Sequence, residues 1–573
     1  MPRSTDPSTA RRTSRPDGSL TRTVAAAATL SVVTAAGLLT LWLWGAIAAT
    51  VAGAPVPARF GDGPLTLLRL AFHLDDPRGA WGAGGDQLPP PAVVWLILLL
   101  LLTAWTVAIG LAARSARRHG WIAGRGEWAR WARSEDLRDL RVDPGTHHNR
   151  LALGTHHGRL LAADEESSLL VIAPPRSGKT AGLVKPALLE WEGPVITTSV
   201  KGDLLDTADR RAQLGEVAVF DPTGSTDSRL TVGWSPVSAS RTWQGARETA
   251  ALMVQTGNGP RSGDAQHWED MSRRFLAPLL FAAAQSRGTM RDVLRWVSTF
   301  DDAGPTAGLQ FADDQLAAAR ALEVLQGMWE MDGKTMWSLQ QTTANALDPY
   351  EDPRTLEAEA TATITPDWLL AGDNTLYIVA PARDQQRLRG LFCALLNSMV
   401  AAAAARSLQH GGPLDRHLLL ALDECANVAP IPDLDVWAST GGGMGIQLLT
   451  VFQSRAQAID RWGPHKADAI TAAHRAQLYG TGLSDQATIA YLRDVLGDDE
   501  IQQISHTTGS GPQTTQRSTT WRPLVDGPTA RQAPVGSGLL IYGTLPPARI
   551  DLRMWFTDRR LRSLATPQTP TAA

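Results

Sequence analysis

Two cysteines, Cys393 and Cys425, are all that the 573 residues contain. Both stand among apolar neighbours. Their spacing supplies neither a disulfide framework nor a metal-binding pattern, so they read as small buried hydrophobes. Lysine is almost as scarce: Lys179, Lys185, Lys201, Lys334 and Lys466 are the full set, and arginine carries the remaining positive charge. The formal net charge is only −3. No global basic field advertises a polyanionic partner, and any such site has to be local. Internal repeats are also lacking, which sets aside solenoids and propellers.

What the chain does have is centred on residues 168–180, SLLVIAPPRSGKT. The apolar run Leu169 to Ile172 reads as a buried strand, and a helical pattern follows from Lys179 to about Trp191. Strand, small-residue loop, Gly-Lys-Thr and helix together form the phosphate-binding loop of nucleoside triphosphatases. Pro174, Pro175, Arg176, Ser177, Gly178, Lys179 and Thr180 are the candidate nucleotide-binding residues. Backbone N–H groups from Arg176 to Thr180 and the start of the helix would face the phosphates. Lys179 would reach the β- and γ-phosphates of ATP, and Thr180 would offer its hydroxyl to Mg2+. The usual first glycine of the loop is Ala173 here, a residue with less backbone freedom. A chance Gly-Lys-Thr in a turn is the plain alternative; the flanking strand and helix argue against it.

The second half of an ATPase site stands far downstream. His417 to Leu422 is an apolar strand ending in Asp423-Glu424. Asp423 would help hold Mg2+, partly through water, and Glu424 would orient and deprotonate the attacking water. Another apolar run, Ile446 to Phe452, ends in Gln453, an amide placed to sense the γ-phosphate. Lys179, Glu424 and Gln453 are the candidate catalytic residues.

Around these motifs the chain divides by composition. Residues 1–23 are a polar, arginine-rich arm read as disordered and cytoplasmic. Residues 24–53 and 92–113 are apolar runs long enough to span a bilayer, joined by a Gly/Pro-rich loop, 54–91. A signal peptide is the competing reading of the first run. Arginines crowd the outer flanks of both runs, which places both termini in the cytoplasm and the chain in the cell (inner) membrane. A juxtamembrane lead-in, 114–159, precedes a nucleotide-binding region split in two, 160–240 and 356–561, by a helix-patterned insertion at 241–355. Alternating strands and helices argue an α/β fold with a mostly parallel sheet. The apolar stretch Gln385 to Leu408 reads as a helix buried against that sheet, since Arg387, Arg389 and Asn397 interrupt it. Ser505 to Val535, rich in Gly, Ser, Thr and Gln, reads as a mobile loop, and 562–573 as a disordered tail.

The chain resembles the type IV secretion coupling proteins, the TraG/TraD-like family of conjugative ATPases. The resemblance runs from the two apolar spans to about Phe556. It is carried by APPRSGKT, VKGDLLDTADRR, VFDPTG, TLYIVAPARDQQRLRGLF, LLLALDECANVAPIPDLDVWAS, GIQLLTVFQSRAQ and LPPARIDLRMWF. It implies a RecA-like P-loop NTPase core with an inserted all-α domain and two N-terminal transmembrane helices, assembled as a homo-hexamer. It further implies ATP and Mg2+ as cofactors, single-stranded DNA with its relaxase as substrate, and the components of a type IV secretion channel as partners. Lys179 and Thr180 match the family's phosphate-loop pair, Asp423 and Glu424 its acidic strand end, and Gln453 its sensor. Lys201-Gly202-Asp203 matches a Lys-Gly-Glu block with a shorter acid. Many relatives place an arginine close to Gly442, where this chain has none, and Arg455 and Arg461 are the candidates for an arginine acting on a neighbour's ATP. Two rivals remain: an FtsK-like double-stranded DNA pump, and a membrane receptor for protein cargo that does not hydrolyse ATP. The intact Lys179, Thr180, Asp423 and Glu424 argue against the second.

Overall fold

The computed structural model describes residues 37–56, 62–118, 129–226, 228–255, 263–506 and 515–566. The expected arm, the start of the first apolar run, residues 119–128 of the lead-in and the last seven residues lie outside them. The chain forms two compact units, Met1–Arg125 and Gly126–Ala573.

In the first unit, helices Gly37–Ala52 and Pro91–Arg118 are the described parts of the two apolar runs. Trp44 joins them: its indole N–H donates to the Val94 carbonyl at 2.6 Å, and its ring meets Trp81 edge-on at 4.8 Å. Gly45 permits this, because a Cβ there would stand 2.6 Å from the Trp81 Nε1. The linking segment, expected as a loop, is largely helical. It holds a helix at Gly63–Leu70 and a tighter 3-10 stretch at Pro77–Gln87, which the Asp76 carboxylate caps by accepting from the Arg78 N–H. Among the described residues, two helices are long and apolar enough to cross a membrane. They differ in burial: the Pro91–Ala108 window is 11% buried, whereas Gln385–His410 is 67% buried inside the second unit. The second is therefore a core helix of the kind expected from its interrupting polar residues.

The second unit is built on an eleven-stranded sheet. Its strands are β1 (Ala152–His156), β2 (Arg159–Ala162), β3 (Leu169–Ile172), β4 (Val195–Ser199), β5 (Val217–Phe220), β6 (Thr375–Val379), β7 (Leu418–Leu422), β8 (Ile446–Phe452), β9 (Ala476–Gly480), β12 (Ser537–Tyr542) and β13 (Ala548–Asp551). They lie in the order β2-β1-β13-β12-β9-β3-β8-β7-β4-β6-β5. From β5 to β9 the neighbours are parallel, and from β9 onward the added strands are antiparallel. The strands β3, β4, β6, β7 and β8 are buried along their whole length, as parallel strands covered on both faces must be. Side chains alternate between two cores: Leu170, Ile172 and Leu420 enter one, Leu169, Val171 and Leu419 the other. Between β5 and β6 the chain makes helices from Trp243–Val254 to Pro353–Ala360, and these share the first core with the helix Gln385–His410.

Three sequence expectations fail here. The sheet begins at β1, inside the stretch read as a lead-in. The polar stretch read as a mobile loop holds the end of β10 (Asp498–His506) and the whole of β11 (Thr515–Pro523), an antiparallel ribbon paired from Asp498↔Pro523 to His506↔Thr515. Its Thr-rich second strand favours extended backbone even where no apolar face marks it. The first residues of the expected tail are likewise ordered, in a helix at Arg559–Ala565.

The segment after β13 packs onto the phosphate loop, and the sequence explains how. The turn Thr180–Val184 is π-helical and leads into the α-helix Lys185–Glu190. The Ala181 carbonyl would look five residues ahead for a donor, but Pro186 has no N–H. The Trp555 N–H takes that carbonyl instead, at 3.0 Å. Next to it, Arg553 pairs with Glu190 at 2.7 Å, with both side chains almost fully buried. Burial alone would raise the Glu190 carboxyl, yet the hydrogen bonds and charges of His147 and Arg553 outweigh it and hold the group at about 2. Breaking a buried pair from one side leaves the other charge stranded, so Arg553→Met should destabilise this unit by about 3 kcal/mol. Chemical denaturation monitored by tryptophan fluorescence checks this; an unchanged midpoint would remove the pair from the account.

Candidate nucleotide site

The phosphate loop leaves β3 at Ala173 and turns through two left-handed residues, Arg176 at φ +65° and Gly178 at φ +91°. The Ala173 methyl, where a glycine was expected, is accommodated from across the sheet. At the end of the neighbouring strand β9 a Cβ on Gly480 would come within 2.6 Å of the Ala173 Cβ, so a glycine there makes room for the methyl. Met554 lies over the loop, its methyl 2.4 Å from where a Gly178 Cβ would be. Lys179 is buried, and the Ser177 hydroxyl is buried with no hydrogen-bond partner.

The adjacent parallel strands bring the acidic pair to the same edge of the sheet. The Thr180 hydroxyl donates to Asp423 Oδ2 at 2.8 Å, and the Thr198 hydroxyl donates to the Asp423 carbonyl at 2.7 Å. Asp423 Oδ1 is buried and unpartnered. Burial pushes this carboxyl up to about 6, against the pull of the Thr180 hydrogen bond and the Lys179 charge. An orphaned carboxylate oxygen beside a threonine hydroxyl fits a hard divalent cation with oxygen ligands. Lys179 Nζ stands 3.3 Å from Glu424 Oε1. Glu424 itself has a left-handed backbone, φ +55° and ψ +38°, an uncommon and strained conformation for a side chain of this kind. Gly202, in the Lys201-Gly202-Asp203 block after β4, is left-handed too, and the Ser199 hydroxyl donates to Asp203 at 2.9 Å.

Gln453 follows β8, and its side-chain amide donates to Glu424 Oε2 at 2.7 Å. Two residues that the sequence reading did not single out complete a ring. The Gln453 N–H donates to Gln457 Oε1 at 3.0 Å, and Gln457 Nε2 donates to Asn427 Oδ1 at 3.0 Å. Asn427 Nδ2 returns to Glu424 Oε2 at 3.4 Å. The available signal was spacing: Asn427 is three residues after the acid and Gln457 four after the amide, each about one helical turn on. Replacing Gln457 by the isosteric Met removes both of its hydrogen bonds. Where turnover depends on the placement of Glu424 and Gln453, Gln457→Met should lower kcat roughly tenfold and leave KM nearly unchanged. Steady-state kinetics decide it; a rise in KM at constant kcat would give Gln457 a binding role instead.

The arginines proposed from sequence are not part of this cluster. Arg455 begins the helix Arg455–Trp462, which turns its guanidinium inward. There it pairs with Asp468, donates to Thr471 and lies 4.3 Å from the Tyr491 ring centroid. Arg461 donates to the Ala426 carbonyl at 3.0 Å, and Arg389 to the Asn427 carbonyl at 3.1 Å, so both hold the segment that follows the acidic pair. A trans-acting role for Arg455 or Arg461 would first require these contacts to break. Gly442 is closed to any side chain, because a Cβ there would stand 2.1 Å from the Glu166 carbonyl oxygen.

Comparison with known proteins places this geometry. A family model described as type IV secretory system conjugative DNA transfer matches residues 130–573. The conjugal transfer protein TraG of Escherichia coli is 25% identical over 311 residues, covering 50% of this chain and 48% of TraG. The protein VirD4 of Agrobacterium fabrum is 23% identical over 417 residues, covering 70% of this chain and 61% of VirD4. The chain thus matches about half to three-fifths of the length of these relatives. Among solved structures, the plasmid coupling protein TrwB in complex with ADP and Mg2+ gives a TM-score of 0.55 at 19% identity, over 74% of this chain and 94% of TrwB. The same coupling protein with an ATP analogue gives 0.55 at 18% identity, which shows a shared fold. With a family match across its whole α/β unit, this chain belongs to the type IV secretory system conjugative DNA transfer family.

Proposed function

We propose that this protein is a membrane-anchored ATPase that receives a relaxase–single-stranded DNA complex and drives it into a type IV secretion channel. The observation that carries the reading is the convergence of Lys179, Thr180, Asp423, Glu424 and Gln453 at one edge of the sheet. In this reading ATP is the substrate. Thr180 and Asp423 would hold Mg2+, which would supply charge neutralisation to the phosphates. The phosphate-loop N–H groups and Lys179 bind and orient the phosphates. Glu424 takes a proton from the attacking water, and Gln453 orients Glu424 and reads the γ-phosphate. Lys179 lies 3.3 Å from Glu424, and in this reading its ammonium turns from that carboxylate to the phosphates.

The membrane anchor rests on the two apolar helices of the first unit and their arginine-rich flanks, with both termini in the cytoplasm. Relatives described as conjugal transfer and coupling proteins support the DNA substrate, and a ring of identical subunits is part of the same proposal. The experiment is ATP hydrolysis by the full chain in detergent, with single-stranded or duplex DNA added. Stimulation by single strands, declining as salt rises, is the expected result. Preferential stimulation by duplex would favour a double-stranded DNA pump, and no hydrolysis at all a passive receptor.

A further inference from the structure

The helices inserted between β5 and β6 contain a second concave site, well separated in sequence from the residues of the nucleotide cluster. Helices Trp243–Val254, Asp264–Gln285 and Gln315–Trp329 line an open cavity of about 720 Å3, within the size range of ligand pockets, with Arg247 and Arg274 exposed at its mouth. Arg247, Arg273, Arg274 and Arg320 line it over a floor that includes Ala277 and Val324. In a chain of net charge −3, this is a local concentration of positive charge. Nearby acids neutralise it only in part. Asp270 pairs with Arg273 at 3.0 Å, and Glu248 accepts from the Gln244 and Asn397 amides. Arg320 is bridged to the exposed Glu323 at 2.8 Å. Neither Arg247 nor Arg274 has an ion-pair or hydrogen-bond partner among the described residues, and the buried Arg273 Nε–H has no acceptor.

We propose that this cavity binds an acidic peptide segment of a partner protein, through carboxylates held by Arg247 and Arg274. Planar guanidinium groups take carboxylates in two parallel hydrogen bonds, and the apolar floor suits the methylenes of Glu side chains. Nucleic acid fits less well. Single-strand sites use aromatic faces as stacking platforms along a continuous basic track. Here the single aromatic in the lining is Trp243, and its ring is already packed against Phe281, with centroids 5.9 Å apart.

The test uses the full chain in detergent and a fluorescein-labelled hexaglutamate peptide, read by anisotropy. Hexalysine and oligo-dT of equal length are the comparison probes. Hexaglutamate should bind and hexalysine should not. Arg247→Ala with Arg274→Ala should weaken hexaglutamate roughly tenfold or more, given the strength of charge-assisted hydrogen bonds. Arg241→Ala, outside the cavity, should leave binding unchanged, and basal ATP turnover should be the same in all variants. Unaltered hexaglutamate binding by the double variant, or none by the wild-type chain, overturns the proposal. Loss of oligo-dT binding in the double variant with hexaglutamate retained overturns it in favour of a nucleic-acid site. Because the readout is binding, it stands whether or not the protein hydrolyses ATP.

Discussion

Lys179→Ala abolishes measurable ATP turnover. Lys179 is the one lysine at the phosphate loop, it is buried, and its ammonium is 3.3 Å from Glu424. In the proposed mechanism it moves from that carboxylate to the β- and γ-phosphates, where it offsets the charge that develops in the transition state. Removing one such electrostatic contact costs roughly 10²–10³ in rate. The variant should stay folded, because the truncation unpairs only the partly accessible Glu424 carboxylate. Hydrolysis measured by phosphate release, alongside a circular dichroism melt, checks both halves. Undiminished turnover by a folded variant would take the phosphate loop out of the mechanism.

Glu424→Gln has a comparable effect on turnover and the opposite effect on the bound state. The amide keeps the size of the side chain and can still accept from Gln453, so the ring through Gln457 and Asn427 survives. It has no basic oxygen for the water proton, and it no longer attracts the Lys179 ammonium. Turnover should fall roughly 10²–10⁴-fold, the range associated with a positioned general base. Nucleotide affinity should hold or rise, since the phosphates no longer compete with a carboxylate for Lys179. Binding of a fluorescent ATP analogue and single-turnover hydrolysis separate the two. Wild-type turnover in this variant would return the role of base to another group.

How much of this was visible in the sequence depended on how local the signal was. The phosphate loop, the Asp423-Glu424 strand end and Gln453 each announce themselves within about ten residues, and parallel strands bring their ends to one edge of the sheet. The helix Gln385–His410 was legible as a core helix because Arg389 and Asn397 interrupt an otherwise membrane-like run. The antiparallel extension was not. Strands β1, β2 and β13 have four or five residues each, too short for an alternation such as Ala548-Arg549-Ile550-Asp551 to stand out, and β1 carries Gly154, Thr155 and His156. Their existence is decided by pairings such as Thr155↔Asp551, across nearly the whole unit. Arg455 stands outside the cluster for a related reason. Its place one residue past the strand end and its cap suggests reach, yet the direction of the helix that it begins turns it toward Asp468. That Gly480 makes room for the Ala173 methyl could not be read either, since the two residues sit on different strands.

Asp423 links the site to stability as well as to metal. Its carboxyl is raised from 3.8 to about 6. A group raised in the fold contributes stability below its unfolded value and loses it as pH rises through about 6. At neutral pH the ionised form strains the nucleotide-free fold by roughly 3 kcal/mol, at 1.36 kcal/mol per unit. Asp423→Asn should therefore melt higher than the wild-type chain at pH 7.5, and the difference should shrink toward pH 4.5. A lower melting point at pH 7.5 would mean that the ionised Asp423 supports the fold.

ATP-driven movement along DNA is the most direct test of the account. The full chain in detergent is given a single-stranded oligonucleotide with biotin at one end bound to streptavidin, and release of streptavidin into excess free biotin is followed in time. With ATP and Mg2+ the wild-type chain should speed release from at least one of the two ends, and Glu424→Gln should not. Hydrolysis that proceeds without any displacement at either end, or displacement that is equally fast without ATP, would contradict it.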